Sequence, residues 1–323
     1  MLGAKSPYTG PDKWEVSMSW RYQTSNSHYV GIHKQLGRDT EQSQVINRIN
    51  QPELTIRRNY TKQWSLALGI PYLMATRSSP IRDSSGTVID RTLTQARGIG
   101  DMTVTLRRWV WNPEKHPSFN VSLGIGMKFP TGENNVQDVR KSIASNGTVS
   151  LSVRTVDQSI QPGDGGFGAV FDLQAYTRFA HNHLAGYFTA TYLANPEGTS
   201  GVQTFRSGAG EDVMSIADQY LARAGVSWFP GSSGLGLSLG GRAEGVPVHD
   251  LWGPSDGFRR PGYASSVEPG ITFTRGAHTV ALSVPRALVR NRQRSVPDRE
   301  FGRFTGDAAF ARYVVLLGYF RKF

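Results

Sequence analysis

The chain has 323 residues, 38% of them hydrophobic, and a formal net charge of +11. No run of about 18 apolar residues occurs, which excludes membrane-spanning helices but not spanning strands, where only every second residue meets lipid. Cysteine is absent, so thiol catalysis, disulfides and Cys-ligated metals are excluded, and an oxidising periplasm or cell surface is compatible.

The opening stretch MLGAKSPYTG has no apolar core of the kind a signal peptide carries. The expectation is a mature chain whose signal peptide has been removed, with residues 1–12 a periplasmic segment and 13–323 one domain. Period-two alternation begins at KWEVSMSWRY (13–22), with Trp14, Val16, Met18, Trp20 and Tyr22 on one face and Glu15, Ser17, Ser19 and Arg21 on the other. Aromatics at both ends of an apolar stripe match the interfacial girdles of membrane barrels. QPELTIRRN (51–59) is a weaker second strand, bringing Glu53 and Arg57 to the polar face. QWSLALGIPYL (63–73) is the third and GDMTVTLRRWVW (100–111) the fourth, with Asp101 and Arg107 on its polar face.

The fifth, FNVSLGIGMKFPTG (119–132), alternates without a break. Phe119, Leu123 and Met127 share one face, and Asn120 and Lys128 the other. FGAVFDLQAYTRFA (167–180) sets Phe171 against Asp172 and Arg178. HLAGYFTATYLA, DQYLARAGVSWF, GLGLSLGGRAEG, EPGITFTR and HTVALSV continue the series, with Arg223, Arg242, Glu244 and Glu268 on polar faces. ARYVVLLGYFRKF (311–323) is the twelfth and closes it. Counting back in twos from Phe323 gives Arg321, Tyr319, Leu317, Val315 and Tyr313 as a lipid-facing stripe, leaving Arg312 inward.

Connections alternate strictly between short turns (YTK, NPEKHPS, HN, PGSSG, GA) and long polar excursions, notably 78–98, 131–166 and 285–307. A soluble sandwich has no reason to put every long loop at one end. An outer-membrane barrel has periplasmic turns on one side and surface loops on the other. The expected fold is therefore an all-β transmembrane antiparallel barrel of about twelve strands in the bacterial outer membrane. Trp14, Trp20, Phe119, Leu123, Met127, Phe171, Leu317, Tyr319 and Phe323 are expected to face lipid. Glu15, Arg21, Glu53, Arg57, Asp101, Arg107, Lys128, Asp172, Arg178, Arg223, Arg242, Glu244, Glu268 and Arg312 are expected to line the lumen, either as a hydrated conduit or as a wall knitted shut by ion pairs.

GIGDM (98–102), GMKFPTGE (126–133) and GDGGFGAVFDLQAY (163–176), flanked by WSLALGIPYL and VEPGITF, resemble the outer-membrane proteins grouped as the "MetA-pathway of phenol degradation" transporter family. The resemblance spans roughly residues 64–273 and implies a barrel that transports small, often aromatic, compounds. The C-terminal aromatic is similar to the signal read by the outer-membrane assembly machinery, although Arg321 departs from the usual apolar residue.

No chemistry is expected. The His116 and Ser118 pair flanks a proline in a periplasmic turn, the wrong place for a nucleophile. His181 and His183, with His278, do not make a demonstrable metal set. Among Arg286, Arg290, Arg292, Arg294, Arg299 and Arg303 only Phe301 and Phe304 could stack on bases, so no nucleic-acid partner is expected. Lipopolysaccharide phosphate is the better-suited partner for such a guanidinium cluster. No cofactor is expected. The reading is a passive channel for small solutes, with a closed barrel serving as anchor or sleeve for a partner protein as the alternative. An open lumen is expected to prefer anions weakly through Arg107, Arg178, Arg223 and Arg242, unless Glu53, Asp172, Glu244 and Glu268 neutralise them.

Overall fold

A computed structural model describes residues 14–179, 183–231, 233–302 and 306–323. The segment 1–12, expected to be periplasmic, lies outside the described residues. Twelve antiparallel staves run in chain order: β1 (Trp14–Val30), β2 (Ile46–Asn59), β3 (Trp64–Arg82), β4 (Val88–Ile99, resumed as Met102–Trp109), β5 (Phe119–Phe129) and β6 (Gly168–Phe179). They continue as β7 (Leu184–Ala194), β8 (Gln219–Trp228), β9 (Leu235–Val246), β10 (Gly262–Arg275), β11 (His278–Ser283, resumed as Arg286–Arg292) and β12 (Ala308–Lys322).

Each stave pairs with its sequence neighbour, and β1 closes on β12 from Glu15↔Lys322 to Tyr29↔Ala308. Closure leaves no edge, so every backbone group at membrane depth finds a partner in the wall. The two interruptions sit at prolines. Pro71 of β3 lies at the level of the β4 break, where Gly100 donates to its carbonyl, and Pro285 has no N–H to continue the β11 ladder.

The alternation written in the sequence becomes inside and outside. Leu123 is 57% exposed and Leu239 61%, values that mean lipid contact in a closed barrel rather than solvent, while Asn120 and Ser122 on the opposite face of β5 are fully buried. At the turn end the outward aromatics carry guanidinium lids. Arg58 lies 4.7 Å over Trp14, Arg108 5.4 Å over Trp64 and Arg321 4.4 Å over Phe323. An aliphatic stem along the wall and a charged head at the headgroup level is what a membrane interface favours. Arg321 therefore fits its outward place. The wall is that of an outer-membrane barrel.

Four sequence expectations change. Residues 78–98 are not a loop: β3 and β4 continue as a paired ribbon from Tyr72↔Ile99 to Arg82↔Val88, turning only at 83–87. Both faces of that ribbon are largely polar, so no apolar period marked it. Residues 131–166 contain a hairpin (Gln137–Ile143 with Val149–Thr155) laid beside β4. Part of the arginine-rich excursion is stave: Arg286, Arg290 and Arg292 belong to β11. Finally, β12 gains a residue between Ala311 and Val314 where β1 steps only from Gln23 to Ser25. The bulge breaks the parity that placed Arg312 inward; Arg312 is exposed and donates to Ser27 Oγ at 3.1 Å.

Candidate functional site

The barrel encloses a cavity of about 570 Å³. Below it, toward the periplasmic turns, the inward positions fill with side chains. Trp109 and Tyr176 meet edge to face, 5.6 Å between ring centres, and Phe320 is buried as well. Asn120 is pinned there, its amide nitrogen donating to the Trp111 carbonyl.

Above this aromatic floor lies a belt of ion pairs. Arg57 contacts Glu15 at 3.0 Å, and Arg107 contacts Asp172 at 2.6 Å, with Thr191 Oγ1 also donating to Asp172. Arg223 grips Glu268 with Nε and Nη2, and Ser283 adds a third bond to the same carboxylate. Arg242 and Arg21 share Glu244. Each of these charges sits where an unpaired ion costs several kcal/mol, so the pairing is obligatory. Among the described residues, no protein group accepts from the Nε–H of Arg57, Arg107 or Arg242, or from Nη1 of Arg242. Buried guanidinium donors require acceptors, which assigns water or a polar solute to this belt.

Arg21, Arg107, Asp172, Arg242 and Glu244 reach up to line the cavity, joined by Glu53, Asp101 and Lys128. Glu53 accepts from Thr55 Oγ1, and Lys128 contacts Asp164. Apolar side chains share the lining: Leu193, Leu221, Val246, Ala264, Ala287 and Ala309. Glu15, Arg57, Arg223 and Glu268 lie outside this lining, buried in their pairs; Arg178 lies lower, its guanidinium 6.0 Å from the Tyr176 ring. Of the residues expected to face lipid, Trp14, Trp20, Phe119, Leu123, Met127, Leu317, Tyr319 and Phe323 are exposed on the wall, whereas Phe171 is half-covered by Trp252, 5.7 Å between rings.

The roof comes from the segment after the hairpin. Ser159, Gln161, Pro162 and Asp164 face the cavity, and Ile160 inserts among Leu73, Ala75, Ala96 and Val156. Gly163 passes so close to Gly132 that a Cβ would come 2.5 Å from its carbonyl oxygen, a crossing only glycine permits. Asp101 holds the crossing by accepting from the backbone N–H groups of Gly132 and Asp164, both at 3.0 Å.

Asp157 fastens this roof to three other elements. Arg260 binds it bidentately at 2.9 and 2.8 Å, with Arg77 of β3 at 3.3 Å and Arg206 of the β7–β8 loop at 3.6 Å. Burial alone raises a carboxyl's pKa; the Arg260 and Arg77 guanidiniums outweigh it and hold Asp157 well below the usual carboxylate range. Sequence reasoning missed this cluster. Arg77 follows Leu73 and Ala75 at period two and was within reach of it, but Arg206 and Arg260 sit in loops, where no period operates.

The remaining histidines serve structure. His183 bonds the Phe229 carbonyl and His278 the Tyr319 hydroxyl, while His181 lies outside the described residues, as do Arg303 and Phe304. His116 lies 6.1 Å from the Trp111 ring in the β4–β5 turn, which also holds Ser118.

A family model described as "Putative MetA-pathway of phenol degradation" matches residues 78–244. No curated protein matches in sequence. Among solved structures, the COG4313 outer membrane channel from Pseudomonas putida F1 is similar with a TM-score of 0.60 at 14% identity, over 98% of this chain and 97% of that one. The β domain of the Bordetella autotransporter BrkA aligns at TM-score 0.48 and 11% identity over 97% of this chain and all of that one. The P. putida toluene transporter TodX aligns at 0.47 and 10%, over 97% and 91%. The first of these shares the fold.

Proposed function

The chain belongs to the MetA-pathway of phenol degradation family, and we propose that it works as a passive outer-membrane channel for small solutes, aromatic or anionic. The observation that carries this reading is the cavity: about 570 Å³ inside a closed wall, lined by both charged and apolar side chains. A flat apolar ring packs on the Leu193–Leu221 side while a polar substituent meets the arginines, the usual division of labour in a small-molecule site. The family description, which names phenol degradation, fits an aromatic solute. Lipopolysaccharide phosphates suit the exposed arginines of the loop side, and the C-terminal Phe323 suits recognition by the barrel-assembly machinery; both partners are part of the proposal.

A specific observation favours the rival, a closed barrel acting as anchor or sleeve. Trp109, Tyr176 and Phe320 fill the inward positions beneath the ion-pair belt. Planar-bilayer conductance and liposome swelling with phenol or benzoate separate the two. Reproducible conductance steps and solute-driven swelling support the channel, whereas a folded, silent barrel supports the sleeve.

A further inference from the structure

Three guanidiniums converge on one carboxylate at the roof of the cavity. Within 4 Å of Asp157 lie Arg77, Arg206 and Arg260, three positive charges on one carboxylate, with Glu211 and Asp307 acting on Arg206 and Arg260 from farther off. Guanidinium groups repel one another, and bringing three together in a partly desolvated site is unfavourable unless anions are available to them. The cluster is nevertheless built firmly. Arg77 is oriented by Asn47 Oδ1 at 3.0 Å and by Ser159 Oγ, while Arg206 and Arg260 both stack on Phe258, at 3.8 and 4.6 Å from the ring centre. Arg260 also lines the cavity, so the cluster opens onto the space a solute occupies.

We propose that Arg77, Arg206 and Arg260 form a seat for the carboxylate of an organic acid, which Asp157 occupies in the resting barrel and a solute carboxylate contests. The chain itself shows which ion fits, since Asp157 takes the bidentate geometry a planar carboxylate makes with guanidinium. An aromatic acid gains further from Tyr220 and Tyr263 on the cavity wall. Because Asp157 begins the segment that carries Ser159, Gln161 and Pro162 over the cavity, a solute that displaces it also loosens the roof. Binding and opening are thereby coupled.

This deepens the channel reading, and the test keeps the two apart. Isothermal titration calorimetry of benzoate and of benzyl alcohol, its uncharged counterpart, is run on the detergent-solubilised full chain, with heat-modifiable gel migration reporting a folded barrel. The seat requires that benzoate bind and benzyl alcohol not, that Asp157→Asn tighten benzoate at least tenfold by removing the competitor, and that Arg206→Gln, at a side chain 37% exposed, weaken it at least fivefold. A merely structural latch gives the opposite sign for Asp157→Asn, because a loosened roof binds less. Unchanged or weaker benzoate binding in Asp157→Asn, or equal binding of the alcohol, overturns the seat. The same proteins in planar bilayers report on the channel separately: the expected affinity order with no conductance in any variant leaves the seat standing and removes the channel, and conductance without that order does the reverse.

Discussion

Single side chains carry two consequences that can be measured. Leu123 stands at the middle of an outward stripe, more than half exposed on the wall, so a charge there meets hydrocarbon. Leu123→Arg is expected to cost about 2–4 kcal/mol at the midplane, measured by urea unfolding from vesicles, whereas Leu123→Ala costs far less than that charged substitution. A charged variant as stable as Leu123→Ala would falsify the assignment of this face to lipid. Asp157 gives a pH dependence of definite sign. Its pKa is lowered in the folded barrel, so the stabilisation it gives the roof is full above the ordinary carboxylate value near 3.8 and is lost as pH falls through the folded value. Single-channel conductance is therefore expected to show a rise in acid below about pH 4 that depends on Asp157. In Asp157→Asn that acid response should vanish; a response that persists assigns the opening to other carboxyls.

At the level of the elements, legibility followed physical period. Staves β5 and β6 were readable because lipid outside and a polar lumen inside impose strict alternation, and a one-residue slip would exchange the two faces. The ribbon of β3 and β4 above the membrane has water on its outer side, so its stretch Arg77 to Pro80 carries no apolar signal and passed for a loop. Arg312 was misplaced for a different reason, since alternation cannot foresee the extra residue that β12 inserts after Ala311. The ion-pair belt was legible as a set of residue types but not as pairs: Arg223 finds Glu268 two staves away because of sheet register, which composition does not contain. The floor was not legible as a contact, because Trp109 and Tyr176 read as ordinary strand aromatics until register with β5, at Ser122 and Asn120, brings them together two staves apart. That floor makes its own prediction. If Trp109 and Tyr176 form the constriction, the double variant Trp109→Ala, Tyr176→Ala is expected to raise single-channel conductance several-fold over the single variants, and equal conductance in all of them moves the constriction elsewhere.

For the whole molecule the question is what a net charge of +11 does to an ion inside it. Counting charge alone predicts an anion-selective pore, because a low-dielectric wall focuses the field of its basic residues on the bore. The pairing argues otherwise for the belt. Arg57 meets Glu15, Arg107 meets Asp172, Arg223 meets Glu268, and Arg21 with Arg242 meets Glu244, with Arg242 also 4.0 Å from Glu268. A charge and its partner 3 Å apart present little more than a dipole to an ion in the bore, so the belt contributes little preference of its own. The belt's five arginines meet four carboxylates, an excess of one, whereas at the roof three arginines contact one aspartate, with Glu211 and Asp307 farther off. Selectivity is therefore expected to be set at the mouth: a weak anion preference in the wild type, diminished by Arg206→Gln and increased by Asp157→Asn, read as reversal potentials under a salt gradient. Glu268→Gln supplies the contrast, since freeing Arg223 places unscreened positive charge in the belt and should turn a weak anion preference into a strong one. If Arg206→Gln leaves the potential unchanged while a belt arginine variant abolishes it, the filter lies in the belt. A cation-selective wild type contradicts both placements, because it would require the carboxylates Glu53, Asp101 and Asp164, rather than any arginine, to dominate the field along the bore.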